Sequence, residues 1–225
     1  MKSIRKTLLL SAFCFLPITF FAQPTFIKHY VDNAPSLDNI NSVMTSYDNG
    51  DVLMVTATHQ NQLNRGGVYI KRRDEDGNGG WTKYYEASFC GVQHEDIRIT
   101  KCIQQSGFTY VIGFHGKAGI VMKVNSSNGN LVWEKSLFSG SLSGNAHIRP
   151  HDIILTSGMD IVIAGFHINN ANSSNGIRKN FISKIDQSGN NQWFKTYNQS
   201  LFDNVWGTYE DQLRPTICEN NQKLL

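Results

Sequence analysis

The residues whose types and spacing come closest to a chemical site are Asp74-Glu75-Asp76-Gly77-Asn78-Gly79. Asp74, Asp76 and Asn78 place oxygen side chains at alternate positions before a glycine, the spacing with which a loop wraps a hard cation such as calcium. The residue that should supply the closing carboxylate is Tyr85, with Glu86 one step late. The related segments Asn125-Ser126-Ser127-Asn128-Gly129 and Asp186-Gln187-Ser188-Gly189 lack a second carboxylate. A hairpin turn that uses Asp, Asn and Gly for its backbone geometry accounts for all three segments, so the turn reading outweighs the calcium reading.

Three further sets recur. His59, His115 and His167 end apolar runs, while His94, His147 and His151 precede or begin others, but no His-x-His or His-Glu-x-x-His spacing appears. Polar loop residues explain these histidines better than a metal or acid-base site. Arg98, Arg149 and Arg214 follow equivalent apolar anchors, with Asn41 in the fourth place, and Asp96, Asp152 and Asp211 stand near as partners. A ring of guanidinium groups would suit an anion, whereas duplicated structural bonds to a neighbouring unit suit a repeat protein. There is no Gly-x-Ser-x-Gly elbow for a hydrolase nucleophile. Three scattered cysteines, Cys90, Cys102 and Cys218, make no disulfide framework and read as packed thiols.

The elements that carry these residues repeat. Ile40, Ile97, Ile148 and Leu213 anchor segments roughly fifty to sixty-five residues apart, a period to be sought before any other signal. A turn glycine follows ten positions after the first three anchors, at Gly50, Gly107 and Gly158. Each copy continues with a β-prone run and then a third strand, Val68 to Arg73, Ile120 to Asn125 or Phe181 to Asp186, aligned in that order. An Asx/Gly turn leads to a Trp-x-Lys strand at Trp81, Trp133 or Trp193, and Phe26-Ile27-Lys28 reads as an earlier fourth strand. Four antiparallel strands per unit, apolar inside and polar outside, are the pattern of a β-propeller blade, with the tryptophans packing between blades.

The segment Ile182 to Lys195, with its relative Lys123 to Glu134, resembles the repeats of secreted Bacteroidetes β-propeller proteins, related to the SBBP and PQQ-like propeller repeats. The resemblance covers nearly all of the chain after the N-terminal segment and implies repeat architecture rather than one activity. The expected fold is therefore all-β, an incomplete β-propeller of four-stranded antiparallel blades. Blades are expected at about 37–87, 94–139 and 145–198, with an outer strand at 25–30 and a partial blade at 210–225. An arc of three full blades plus partial blades at both ends is expected to be a truncated product that needs the missing blades or a second copy to close a ring.

A basic start, Lys2, Arg5 and Lys6, precedes an apolar stretch from Leu8 to Ala22. Residues 1–22 thus read as a secretory signal peptide, cleaved before Gln23, too short to span a bilayer. Losing those three of 21 cationic residues leaves 18 against 18 acidic ones, so 23–225 is neutral and carries no nucleic-acid footprint. The sequence-level expectation is an exported, non-catalytic module for protein or glycan interaction, secreted or at the cell surface, with the polar loop 168–178 as a contact candidate. A propeller enzyme of quinoprotein or glycan-cleaving type, its site incomplete here, is the alternative.

Overall fold

The computed structural model describes residues 37–47, 49–60, 65–86, 97–137, 146–169, 177–198, 219–220 and 223–224, all within one unit, Asp32–Leu225. The signal segment 1–22, the strand at 25–30, Cys90, His94, Asp96, residues 170–176, Asp211, Leu213, Arg214 and Cys218 lie outside the described residues. So do the side chains of Ile40, Asn41 and His59.

Every described regular element is a strand. The first sheet is β1 (Leu37–Ser46), β2 (Val52–Gln60), β3 (Arg65–Arg73) and β4 (Thr82–Glu86). The second is β5 (Ile97–Gln105), β6 (Phe108–His115), β7 (Ala118–Asn125) and β8 (Leu131–Ser136). The third is β9 (His147–Leu155), β10 (Ile161–Asn169), β11 (Ile177–Ile185) and β12 (Asn191–Asn198). Each sheet is ordered as in the sequence and antiparallel throughout. A short pair, β13 (Glu219–Asn220) and β14 (Lys223–Leu224), follows.

The sheets pack face on face. Leu53, Val55, Val68 and Ile70 of the first sheet meet Ile99, Val111 and Met122 of the second. Tyr110, Ile112 and Val121, on the second sheet's opposite face, meet Ile148, Ile161 and Phe181 of the third. β6 and β7 are therefore covered on both sides, and their sequences are near-continuous apolar runs rather than alternating ones. The fourth strands β4 and β8 are largely exposed. Between sheets, the close approaches run through β5 and β9, the first strands of the second and third sheets. Three four-stranded sheets meeting along their first strands are compatible with a propeller-like arrangement.

This double coverage explains one error in the sequence alignment. The inward residues Ile70, Val121 and Ile182 belong to three successive core clusters, each on the face that looks toward the higher-numbered strands. They are equivalent, so Val68 corresponds to Gly119 rather than to Ile120 as the sequence alignment had it. A one-residue slip moves every side chain to the other face, but an apolar run carries no alternation to reveal it.

Two kinds of bulge recur. Thr100 and His151 are extra residues in β5 and β9, and the bulged chain brings the carbonyls of Arg98 and Arg149 against Gly113 and Gly165. A Cβ there would lie 2.1 and 2.2 Å from those oxygens, so Gly is required. β1 carries its bulge further out, at Ile40, and the first sheet has Thr56 where the others have glycine. Val132 and Gln192 bulge immediately before Trp133 and Trp193, which is how a bulge re-aims the next side chain.

The first hairpin of each sheet places a residue in the left-handed region. It is Gly50 at φ 86° in the first and Gly107 at φ 79°, beside Ser106 at φ 52°, in the second, but in the third sheet it is Met159 at φ 66°, not Gly158. The closing bonds agree, since Tyr47 N–H donates to Asp51 O and Thr156 N–H to Asp160 O, both over four residues. The repeat thus continues through a residue that carries a side chain at this position.

Candidate functional site

The side chains with chemical potential converge on the seams between consecutive sheets. In the first seam Trp81 Nε1 donates to the carbonyl of Ser126, at 3.0 Å, in the turn between β7 and β8. Arg72 Nη1 donates to the same oxygen at 2.9 Å. In the second seam Trp133 Nε1 donates to Gln187 O at 2.9 Å, in the turn between β11 and β12, and Lys123 Nζ reaches that oxygen at 3.3 Å and Gln187 Oε1 at 2.9 Å. An indole and a cation from one sheet thus share one turn carbonyl of the next. The indoles also press on the turn glycines, Gly129 (φ 72°) and Gly189 (φ 81°), where a Cβ would meet Trp81 at 2.5 Å and Trp133 at 3.1 Å.

The cation has its own partner at the head of the second strand. Arg72 Nε bonds Asp51 at 2.8 Å, and Lys184 pairs with Asp160 at 2.6 Å. Phe108 occupies the equivalent place in the second sheet, and Lys123 stands 4.2 Å over its ring. Without a carboxylate, burial lowers the Lys123 pKa, and the ring face supplies cation–π attraction instead.

The sequence-derived candidates fall into place around these seams. Asp74 Oδ1 accepts Asn78 N–H at 2.6 Å, and Gly77 N–H donates to Asp74 O at 2.8 Å. Asp186 makes the same bonds with Asn190 and Gly189. Asp74-Glu75-Asp76-Gly77-Asn78 is thus a tight hairpin turn of the Asp186 type, with the lead carboxylate committed to the backbone. Among the described residues no group of three His, Cys, Asp or Glu side chains is placed to hold a metal ion.

Arg149 lies 3.9 Å over Phe114, donates to Gly116 O of the second sheet at 2.7 Å and bonds His147 Nδ1 at 2.8 Å. Its role is to tie the third sheet to the second. Asp152 pairs with Lys101, again across the second seam. His115 is buried and His167 half-buried, and burial followed by the nearby Lys179 charge lowers the His167 pKa. His151 meets Phe166 edge-on at 5.0 Å. His167 meets Phe194 edge-on at 6.5 Å, so both of these histidines lie against rings of their own sheet. Cys102 is buried in the first seam, where burial pushes its thiol up to about 12, so it is protonated and inert at neutral pH.

Glu134 was not flagged by the sequence. It occupies the middle of Trp133-Glu134-Lys135, where the other units have Thr82 and Phe194, and burial raises its carboxyl to about 7. Because the folded value exceeds the unfolded one, its favourable contribution is full below about pH 4.5 and is lost as pH rises through about 7. Glu134→Gln is expected to stabilise the chain by about 1 kcal/mol at pH 8 and by nothing at pH 4. The effect stays near 1 kcal/mol because water screens this partly exposed carboxylate. Urea titrations at the two pH values check this.

A cleft of about 520 Å³ opens at the turn end of the first seam. Tyr47, Asn49 and Arg72 of the first sheet face Gln104, Gly107 and Asn125 of the second across it. The chain matches no family model and no curated protein. No described helix is long and apolar enough to cross a membrane.

Proposed function

We propose that the three sheets are successive blades of a β-propeller-type repeat and that the chain is an exported, non-catalytic interaction module for protein or glycan, secreted or at the cell surface. The observation that carries this reading is the seam. Arg72, Lys101, Lys123, Arg149 and Asp152 are committed to bonds that join one sheet to the next, which is what an architecture of stacked repeats demands. Loops and clefts at the turn ends of such a stack are left for recognition.

The second reading, a propeller enzyme of quinoprotein or glycan-cleaving type, would give an acid-base role to Glu134, whose carboxyl burial raises to about 7. Retention on protein and glycan arrays, measured beside turnover of chromogenic glycosides and quinone-linked alcohol oxidation, separates the two. The module reading expects saturable retention with turnover at the buffer rate. Turnover abolished by Glu134→Gln would establish the enzyme reading instead. Export is tested by expressing the chain with and without residues 1–22, with N-terminal sequencing expected to begin at Gln23.

A further inference from the structure

The two seams differ at one place. In the second, the Met159 side chain lies back across the preceding sheet, with Gln105 Nε2 3.9 Å and Ser106 Oγ 3.8 Å from its sulfur. Its equivalent in the first seam is Gly107, where an added Cβ would meet nothing within 4 Å. The cleft of about 520 Å³ occupies the space that a side chain at residue 107 would otherwise enter. It is a seam without its plug.

The lining selects a chemistry. Arg72 is neutralised by Asp51 and also bonded to Ser126 O, so no unspent charge lines the cleft among the described residues, and an ion gains little there. Asn49 Oδ1 accepts Asp51 N–H at 3.3 Å and Asn125 Oδ1 accepts Ser127 N–H at 2.9 Å. Their amide NH2 groups, and the Gln104 amide, have no protein partner among the described residues. An apolar occupant would leave these donors unpaired, at a cost. A neutral, hydroxyl-rich ligand satisfies them. The volume falls in the range of about 300–1,000 Å³ typical of small-molecule sites, enough for one or two sugar rings.

We propose that this cleft binds a neutral sugar, one ring or a short oligosaccharide, held by Asn49, Gln104 and Asn125, and that Met159 fills the corresponding space in the second seam. The proposal rests on the module reading above and names a ligand class for it. The test titrates the 15N-labelled full chain with methyl α-glucoside, methyl α-mannoside, N-acetylglucosamine, maltose and cellobiose, following the side-chain amides of Asn49, Gln104 and Asn125. The expected result is saturable shifts at these amides for at least one probe, weakened about tenfold or more by Gly107→Met, which restores the plug, and by Gln104→Ala, which leaves the fold alone. Met159→Gly is not expected to create a second site, because Leu155 and Asp186 stand in the second seam where Gln104 and Asn125 stand in the first. Should Gly107→Met not fold, Gln104→Ala decides. The proposal is overturned if no probe gives saturable shifts, or if binding is unchanged by Gln104→Ala. Binding mapped to another surface also overturns it while leaving the module reading standing, and turnover of a bound probe overturns both.

Discussion

Gly165→Ala is expected to cost about 3 kcal/mol, at the upper end of the overpacking range. The alanine Cβ would lie 2.2 Å from Arg149 O and 2.7 Å from both Pro150 Cα and a Phe181 ring carbon. Two of those three contacts are backbone, so relief requires β9 to move, and β9 packs against the second sheet. Gly113→Ala, 2.1 Å from Arg98 O, should cost a similar amount. Gly107→Ala meets no atom but must hold φ 79°, so about 1 kcal/mol is expected. Gly158→Ala is neither crowded nor in the left-handed region, and should be neutral or stabilising by about 0.5 kcal/mol. Urea denaturation of the four variants ranks them, and a Gly158 variant as damaging as the Gly165 one would refute the bulge account.

Trp133→Ala is expected to cost about 3 kcal/mol, because it removes a half-buried ring from the core between the second and third sheets together with its bond to Gln187 O. Trp133→Phe keeps most of the ring and loses the N–H, for about 1 kcal/mol. The loss stays small because Lys123 Nζ still serves the carbonyl. A Trp133→Phe variant as stable as the parent would remove the indole bond from the account.

Much of this architecture was legible in the residues. Trp81, Trp133 and Trp193 mark the fourth strands because an indole repeated at a fixed place has a repeated job, and the Asx/Gly turns before them announce hairpins. Four strands per unit and their antiparallel order followed. The frame of the third strand did not, since β7 is apolar on both faces and offers no alternation to set Val68 against Gly119. Nor did Met159, because glycine is the expected resident at positive φ and Gly158 stood one place away. Gly113-Phe114-His115 and Gly165-Phe166-His167 did contain a signal. The shared glycine marks a close backbone approach, which the eye passes over in favour of the shared histidine. The cation partnered by Asp51 or Asp160 in the first and third sheets and by Phe108 in the second was hidden because an aromatic ring had taken the place of a carboxylate. The open cleft is the absence of a side chain at Gly107, and only the Met159 equivalence makes that absence visible.

The central claim is that the sheets are joined by one repeated seam, an indole N–H donated to the turn carbonyl of the next sheet. Hydrogen exchange of the indole N–H groups, read by NMR on the folded chain, tests it most directly. Trp81 and Trp133 are expected to exchange only through opening of the seams, orders of magnitude more slowly than free indole. Trp81 and Trp133 exchanging as fast as free indole would contradict it.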